Sequence, residues 1–175
     1  YTPEYNDYYE FSEHIGTLSN FARQKLLRNK LKQYLSFLPN KNKIKIVDIG
    51  SADGAHLIQS KNILGSKAEL YAIDIYEGNK NFFEANQIHF LNGRLEDLNI
   101  NIKFDLVICN QVIEHVADVD IFLKALYKIG NNSTVFIIET PNTNSIDRRI
   151  FKKYWGGFHT PQHFNLFNQR IIKEL

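Results

Sequence analysis

The chain has 175 residues, 43% of them hydrophobic, which suits one globular domain with a full apolar core. Its formal charge of +2 is too small to point to nucleic acid as a partner, and its single cysteine, Cys109, has no internal disulfide mate and fits a reducing, cytoplasmic compartment. No apolar run reaches the roughly 18 residues of a membrane span, and the first residues lack the charge-then-apolar order of a signal peptide. There is no methionine, so the chain is expected to be processed or a piece of something longer.

Leu18 to Leu38 carries Phe21, Leu26, Leu27, Leu31, Leu35 and Leu38 at helical spacing and stops before Pro39, which predicts a helix covering a sheet. Ile44 to Ile49 reads as a buried strand, Gly50 to Gly54 as a tight turn and Ala55 to Leu64 as the helix after it. A strand at Leu70 to Asp74, a weak helix around Asn79 to Asn86 and a strand at Ile88 to Leu91 follow. Phe104 to Cys109 is the fourth strand, Val119 to Ile129 a helix, Thr134 to Glu139 the fifth strand, and Asn168 opens a last helix. Such alternation predicts an α/β, doubly wound, mainly parallel sheet with helices on both faces. Internal repeats and low-complexity tracts are absent.

In sheets of this kind ligands bind beyond the carboxyl ends of the strands. The polar residues gather there: Asp48 and the 50–54 loop, Asp74, Glu96 and Asp97, Asn110 to His115, and Thr140 to Asn142. Asp74 as a helix cap and Glu96-Asp97 as a solvated loop are the plainer alternatives. A strand feeding a glycine-bearing turn and a helix N-terminus nevertheless brings backbone N–H groups to one spot, and a carboxylate ending the second strand can accept both hydroxyls of an adenosine ribose. The dinucleotide pattern G-x-G-x-x-G, started on Gly50, meets Ala52 and Ala55 where glycines are needed, so a nicotinamide cofactor is not expected.

The segment V-D-I-G-S-A-D-G instead resembles motif I of the class I S-adenosylmethionine-dependent methyltransferases, departing from that family's usual second glycine at Ala52. "FDLVICNQVIEHVADVDIFL", Phe104 to Leu123, resembles the fourth-strand signature of the ubiquinone-biosynthesis-type O-methyltransferases, and "IIETPN" looks like the family's fifth strand and its exit. The resemblance covers about Asn20 to Leu175. It implies a Rossmann-like methyltransferase fold of strand order 3-2-1-4-5 that lacks the family's C-terminal strands, with residues 1–18 as a lid or extension and 19–175 as the cofactor-binding domain.

The same resemblance implies S-adenosyl-L-methionine as cofactor. Gly50, Ser51 and Gly54 are then expected to line its methionine part, with Asp48 reaching the ammonium and Asp74 the ribose hydroxyls. Ile75 is expected against the adenine, Glu96 or Asp97 at its N6 edge because Arg94 stands where many relatives have aspartate, and Asn110 and Gln111 beside the sulfonium. Loop backbone rather than side chain is the alternative for the methionine contacts.

The aromatic and histidine-rich segments Glu4–Phe11 and Tyr154–Phe167 suit a lid over a small-molecule acceptor, with packing as the alternative. Gln111, Glu114 and His115 have helical i, i+3, i+4 spacing, which would put them on one face near the transferred methyl. His115, with His163 second, is expected to act as the general base on an acceptor hydroxyl. Glu114, His115 and a later histidine would alternatively hold a divalent metal, but the amide at 111 is a poor hard-cation ligand and no metal is expected. An RNA 2′-O-methyltransferase with a metal, and a cofactor-binding domain without turnover, are the competing functions. The first is not expected, because no basic cluster with interleaved aromatics suggests an RNA groove.

Overall fold

In the computed structural model, which describes residues 17–159 and 162–175, the chain runs through α1 (Thr17–Ser36), β1 (Ile44–Ile49), α2 (Ala55–Leu64), β2 (Ala68–Asp74), α3 (Lys80–Ala85) and β3 (Ile88–Asn92). It continues through β4 (Leu106–Asn110), α4 (Val119–Ile129), β5 (Val135–Glu139), α5 (Ile146–Phe151) and α6 (Gln169–Glu174). The strands form one sheet in the order β3-β2-β1-β4-β5, every pair parallel, as expected from the sequence. β1 pairs with β2 on one side and with β4 on the other, so strand order reverses beside it.

Both faces of the sheet are covered, which is why the strands read as near-continuous apolar runs. Val47, Ile49, Tyr71, Ile73, Val107 and Cys109 pack on one face with Phe122, Leu126 and Ile129 of α4. Ile44, Ile46, Leu70, Ala72, Leu106 and Ile108 pack on the other with Leu31 and Tyr34 of α1, Leu57 of α2 and Phe83 of α3. The α4 residues recur at i, i+4, i+7, each worth about 1.5–3 kcal/mol when fully buried. Asp118 caps α4 by accepting from Ile121 N, a cap worth about 0.5–2 kcal/mol.

Differences from the sequence expectation have local causes. α1 ends at Ser36 rather than Leu38, because a residue preceding proline avoids the helical region. The chain closes instead with i−3 turns from Phe37 N to Tyr34 O and from Leu38 N to Leu35 O. β2 begins at Ala68, earlier than Leu70, because Ala68 and Glu69 pair with Ile44 and Lys45. β4 begins at Leu106 rather than Phe104, and Asp105 instead takes Lys45 N onto its carboxylate at 2.8 Å. The proposed extension at residues 1–18 lies outside the described residues except for Thr17 and Leu18, which open α1. Among the described residues no helix is long and apolar enough to cross a membrane.

Candidate functional site

The loop after β1 is held to β2 by backbone: Gly50 N and Ser51 N both donate to Ile73 O, at 2.8 and 3.3 Å. Gly50, Ala52 and Gly54 all take positive φ, +67°, +46° and +71°. Ala52 therefore occupies a backbone region where a side chain costs about 1–2 kcal/mol. A Cβ on Gly50 would lie 2.5 Å from Val112 Cγ2, and one on Gly54 2.6 Å from Phe83 Cε1. Positive φ and close approach together select glycine at both positions.

Asp74, 6% exposed at the end of β2, anchors this loop. Its Oδ2 accepts from Ala52 N and its Oδ1 from Tyr76 N, both at 2.9 Å. A carboxylate has about four acceptor directions, so two remain for a ligand. Ile75 is part-exposed beside it, and Asn92 Nδ2 donates to Asp74 O and Ile75 O, which fixes the strand end. Glu96 and Asp97 sit in a single 3₁₀ turn, Leu95–Asp97, with Glu96 half-buried and Asp97 exposed. Ser51 is 3% exposed and its Oγ has no hydrogen-bond partner among the described residues, an orphan that normally costs about 1–3 kcal/mol. A ligand with polar groups at this loop fits both the orphan and the free acceptor directions of Asp74.

Asp48 is buried on the α1–α2 face of the sheet, and its Oδ2 lies 3.3 Å from His56 Nδ1 in the first turn of α2. Burial pushes the Asp48 carboxyl above its ordinary range, opposed by His56. Burial would lower His56, but the adjacent Asp48 carboxylate outweighs it and raises the imidazole. Sequence reasoning missed this pair, because a histidine in an apolar helix carries no local signal of its partner.

Past β4 the expected helix at Gln111 to His115 does not form. Gln111 N continues the sheet pairing by donating to Glu139 O at 2.8 Å, then its φ of +56° turns the chain into a 3₁₀ turn, Ile113–His115. That turn buries Ile113 and Glu114 while Gln111 and His115 stay exposed, so the three polar residues do not share one helical face. Asn110 is half-buried at the strand end. Glu139 at the end of β5 receives Lys30 Nζ and Tyr34 Oη from α1. Burial works against its charge, yet these two hydrogen bonds hold its pKa below the usual carboxylate range. Contacts spanning 109 and 105 residues are invisible to local pattern, and Lys30, Tyr34 and Glu139 were not foreseen as rim residues.

The structure does bring Glu114, His115 and His163 together, with one ligand atom of each within 4.8 Å of the others. Glu114 is 1% exposed; its Oε2 accepts from Thr140 Oγ1 at 2.9 Å and its Oε1 has no partner among the described residues. Its backbone carbonyl accepts from Phe164 N and Asn165 N at 2.9 and 3.1 Å, which ties the 154–167 segment to the 3₁₀ turn. His115 Nδ1 lies 3.0 Å from Gln162 O, and His163 Nδ1 lies 2.8 Å from Gly157 O. A carbonyl only accepts, so each neutral ring carries its proton on Nδ1 and leaves Nε2 as a lone pair. Burial lowers the His115 pKa, which keeps that ring neutral. His159 stands next to them, its ring centroid 5.3 Å from that of His163.

The segment carrying His163 is anchored at both ends. Trp155 is buried and donates Nε1 to Asp147 at 2.9 Å, and Phe167 is buried where Thr143 N meets its carbonyl at 2.8 Å. Thr160 and Pro161 within it lie outside the described residues, as does Glu4–Phe11.

A family model described as a methyltransferase domain matches residues 21–175. The ubiquinone biosynthesis O-methyltransferase of Azorhizobium caulinodans is 28% identical over 129 residues, covering 70% of this chain and 49% of that protein. The protein of the same name from Bartonella quintana is 29% identical over 132 residues, covering 70% and 51%. The chain thus spans about half the length of these relatives. Among solved structures, a SAM-dependent methyltransferase from Archaeoglobus fulgidus superposes with a TM-score of 0.63 at 20% identity, covering 86% of this chain and 66% of that one. A plantazolicin methyltransferase solved with a desmethyl substrate analogue and S-adenosylhomocysteine gives 0.72 at 17%, covering 98% and 68%. Both share the fold.

Proposed function

This chain belongs to the methyltransferase-domain family, and we propose that it transfers the methyl group of S-adenosylmethionine to a hydroxyl oxygen of a small molecule. Gly50, Ser51 and Gly54 line the methionine end, with Asp48 reaching its ammonium directly or through water. Asp74 accepts from the ribose hydroxyls, Ile75 covers the adenine, Glu96 or Asp97 meets its N6 edge, and Asn110 and Gln111 border the sulfonium. When bound, the cofactor supplies an activated methyl on a positively charged sulfur, so the protein's own task is to position the acceptor oxygen and remove its proton. His115 is the base, with His163 second.

The observation that carries the hydroxyl-directed reading is the pair of imidazoles whose Nδ1 atoms face backbone carbonyls. That arrangement leaves Nε2 free to take a proton, and the ubiquinone-biosynthesis relatives are named as O-methyltransferases. A second reading is favoured by the buried Glu114, whose Oε1 has no hydrogen-bond partner among the described residues and which has a carboxylate oxygen within 4.8 Å of a nitrogen of each ring: Glu114, His115 and His163 hold a divalent metal that acidifies the acceptor hydroxyl. Against it, Gln111, where a further ligand would stand, is an exposed amide outside that cluster, and three donors are few for a hard cation.

The test supplies methyl-labelled cofactor with a small-molecule extract or an RNA pool, each with and without chelator. Chelator-insensitive label in base-stable small-molecule ethers is the expected result. Loss with chelator and rescue by added metal selects the metal reading. Label in RNA alone, or none in either pool, refutes the small-molecule activity.

A further inference from the structure

α5 and the turn after it read "IDRRIFKKY", four cations within six residues interleaved with Phe151 and Tyr154, a basic cluster that the sequence reading did not expect, and the fold gathers the cations rather than spreading them. Arg148, Arg149, Lys152 and Lys153 line one open cleft of about 530 Å³ together with Phe158. Positions 148 and 152, and 149 and 153, are four apart. Lys152 has a φ of +49°, so the chain bends there and the second pair of cations turns beside the first. All four side chains are exposed, and none forms an ion pair among the described residues. The nearest acid in sequence, Asp147, accepts from Trp155 Nε1 at 2.9 Å and forms no ion pair among the described residues. Four exposed like charges gathered in one place repel, and a bound anion would relieve that repulsion.

One wall of the cleft belongs to the turn that orients His163. Phe158 forms one wall, with the Arg148 guanidinium 5.9 Å from its ring centroid, and it packs edge-on against buried Trp155. Its neighbour Gly157 supplies the carbonyl that orients His163. One short turn, Gly156–Phe158, therefore ties the cationic wall to the proposed base site.

We propose that this cleft is an anion subsite for the acceptor, which carries a phosphoryl group or a comparable multiply charged oxyanion at a distance from its reacting hydroxyl. Two arginines supply planar paired donors for such a group and two lysines supply point charge. The role in turnover rests on methyl transfer at the His115 and His163 end, whereas anion binding itself does not.

Phenyl phosphate is the probe, titrated calorimetrically into the full chain saturated with S-adenosylhomocysteine, with phenol as the uncharged control. Saturable binding of phenyl phosphate but not phenol is expected, weakened at least tenfold in Arg148→Gln/Lys152→Gln with S-adenosylhomocysteine affinity unchanged. Restoring charge in Arg148→Lys/Lys152→Arg should recover most of the affinity. Non-saturating heats, or equal binding by the glutamine variant, overturn the subsite. Co-sedimentation with phosphatidylglycerol vesicles but not phosphatidylcholine vesicles, without phenyl phosphate binding, also overturns it by assigning the cations to a lipid surface. A chain that binds the probe but not S-adenosylhomocysteine refutes the methyl-transfer reading and leaves the anion cleft standing.

Discussion

The carboxyl edge of the sheet is built in two different ways. Around β1 and β2 the site is mostly backbone: positive-φ residues, loop amides on Ile73 O, and one carboxylate that receives two main-chain N–H groups. Around β4 and β5 it is mostly side chain, assembled from α1, the 3₁₀ turn at Ile113–His115 and the 154–167 segment. The first half is specified within about 30 residues of sequence and tolerates little change in shape. The second depends on contacts between residues far apart in the chain.

The sharpest way to separate the halves is His115→Ala. Removing a general base typically costs about 10²–10⁴-fold in turnover, while S-adenosylhomocysteine affinity should not move. Steady-state turnover with parallel calorimetry checks both, and unchanged turnover would make His115 a packing residue.

Gly50→Ala attacks the other half. A left-handed side chain costs about 1–2 kcal/mol and forced overpacking against Val112 about 1–3 kcal/mol, so a loss of about 2–5 kcal/mol is expected. Denaturant unfolding measures it, and a loss below about 0.5 kcal/mol contradicts the geometry.

His56→Ala should cost about 1–3 kcal/mol at pH 6 by leaving the buried Asp48 without its neighbour. The His56 pKa is raised in the fold, so its stabilisation is full below its unfolded value of about 6.5 and fades as pH rises through the folded value. The gap between wild type and variant should therefore shrink towards pH 9; a gap that widens is incompatible with the pairing.

The smallest effect belongs to Ala52→Gly. Relief of the +46° strain is offset by greater unfolded-chain entropy, leaving a change within about 1 kcal/mol, stabilising if either. A loss above that in thermal unfolding would mean that the Ala52 methyl makes a contact worth more than its strain.

These contrasts explain what could be read in advance. The sheet order, α2 and α4 followed from alternation, the glycine turn and apolar spacing, all short-range signals. Gly50, Gly54 and Asp74 stood out because their local environments demand particular residue types. The 111–115 stretch was misread as a helix face because its i, i+3, i+4 spacing was taken without Gln111 N pairing to Glu139 O, a tertiary contact that keeps the strand going one residue further. The Nδ1 contacts of His115 and His163 were out of reach for the same reason: their partners are backbone carbonyls, and a carbonyl has no residue identity to read. His56, Lys30 and Tyr34 became visible only when the fold set them beside Asp48 and Glu139.

The most direct measurement is a calorimetric titration of S-adenosylhomocysteine and, separately, NAD into the wild-type chain and into Asp74→Ala. S-adenosylhomocysteine should bind the wild type, NAD should give no saturable heat, and the variant should bind about 10–150-fold more weakly, the equivalent of about 1.5–3 kcal/mol for hydrogen bonds lost to a charged acceptor. Saturable NAD binding, or S-adenosylhomocysteine affinity unchanged in Asp74→Ala, would contradict the assignment of the β1–β2 end to the cofactor.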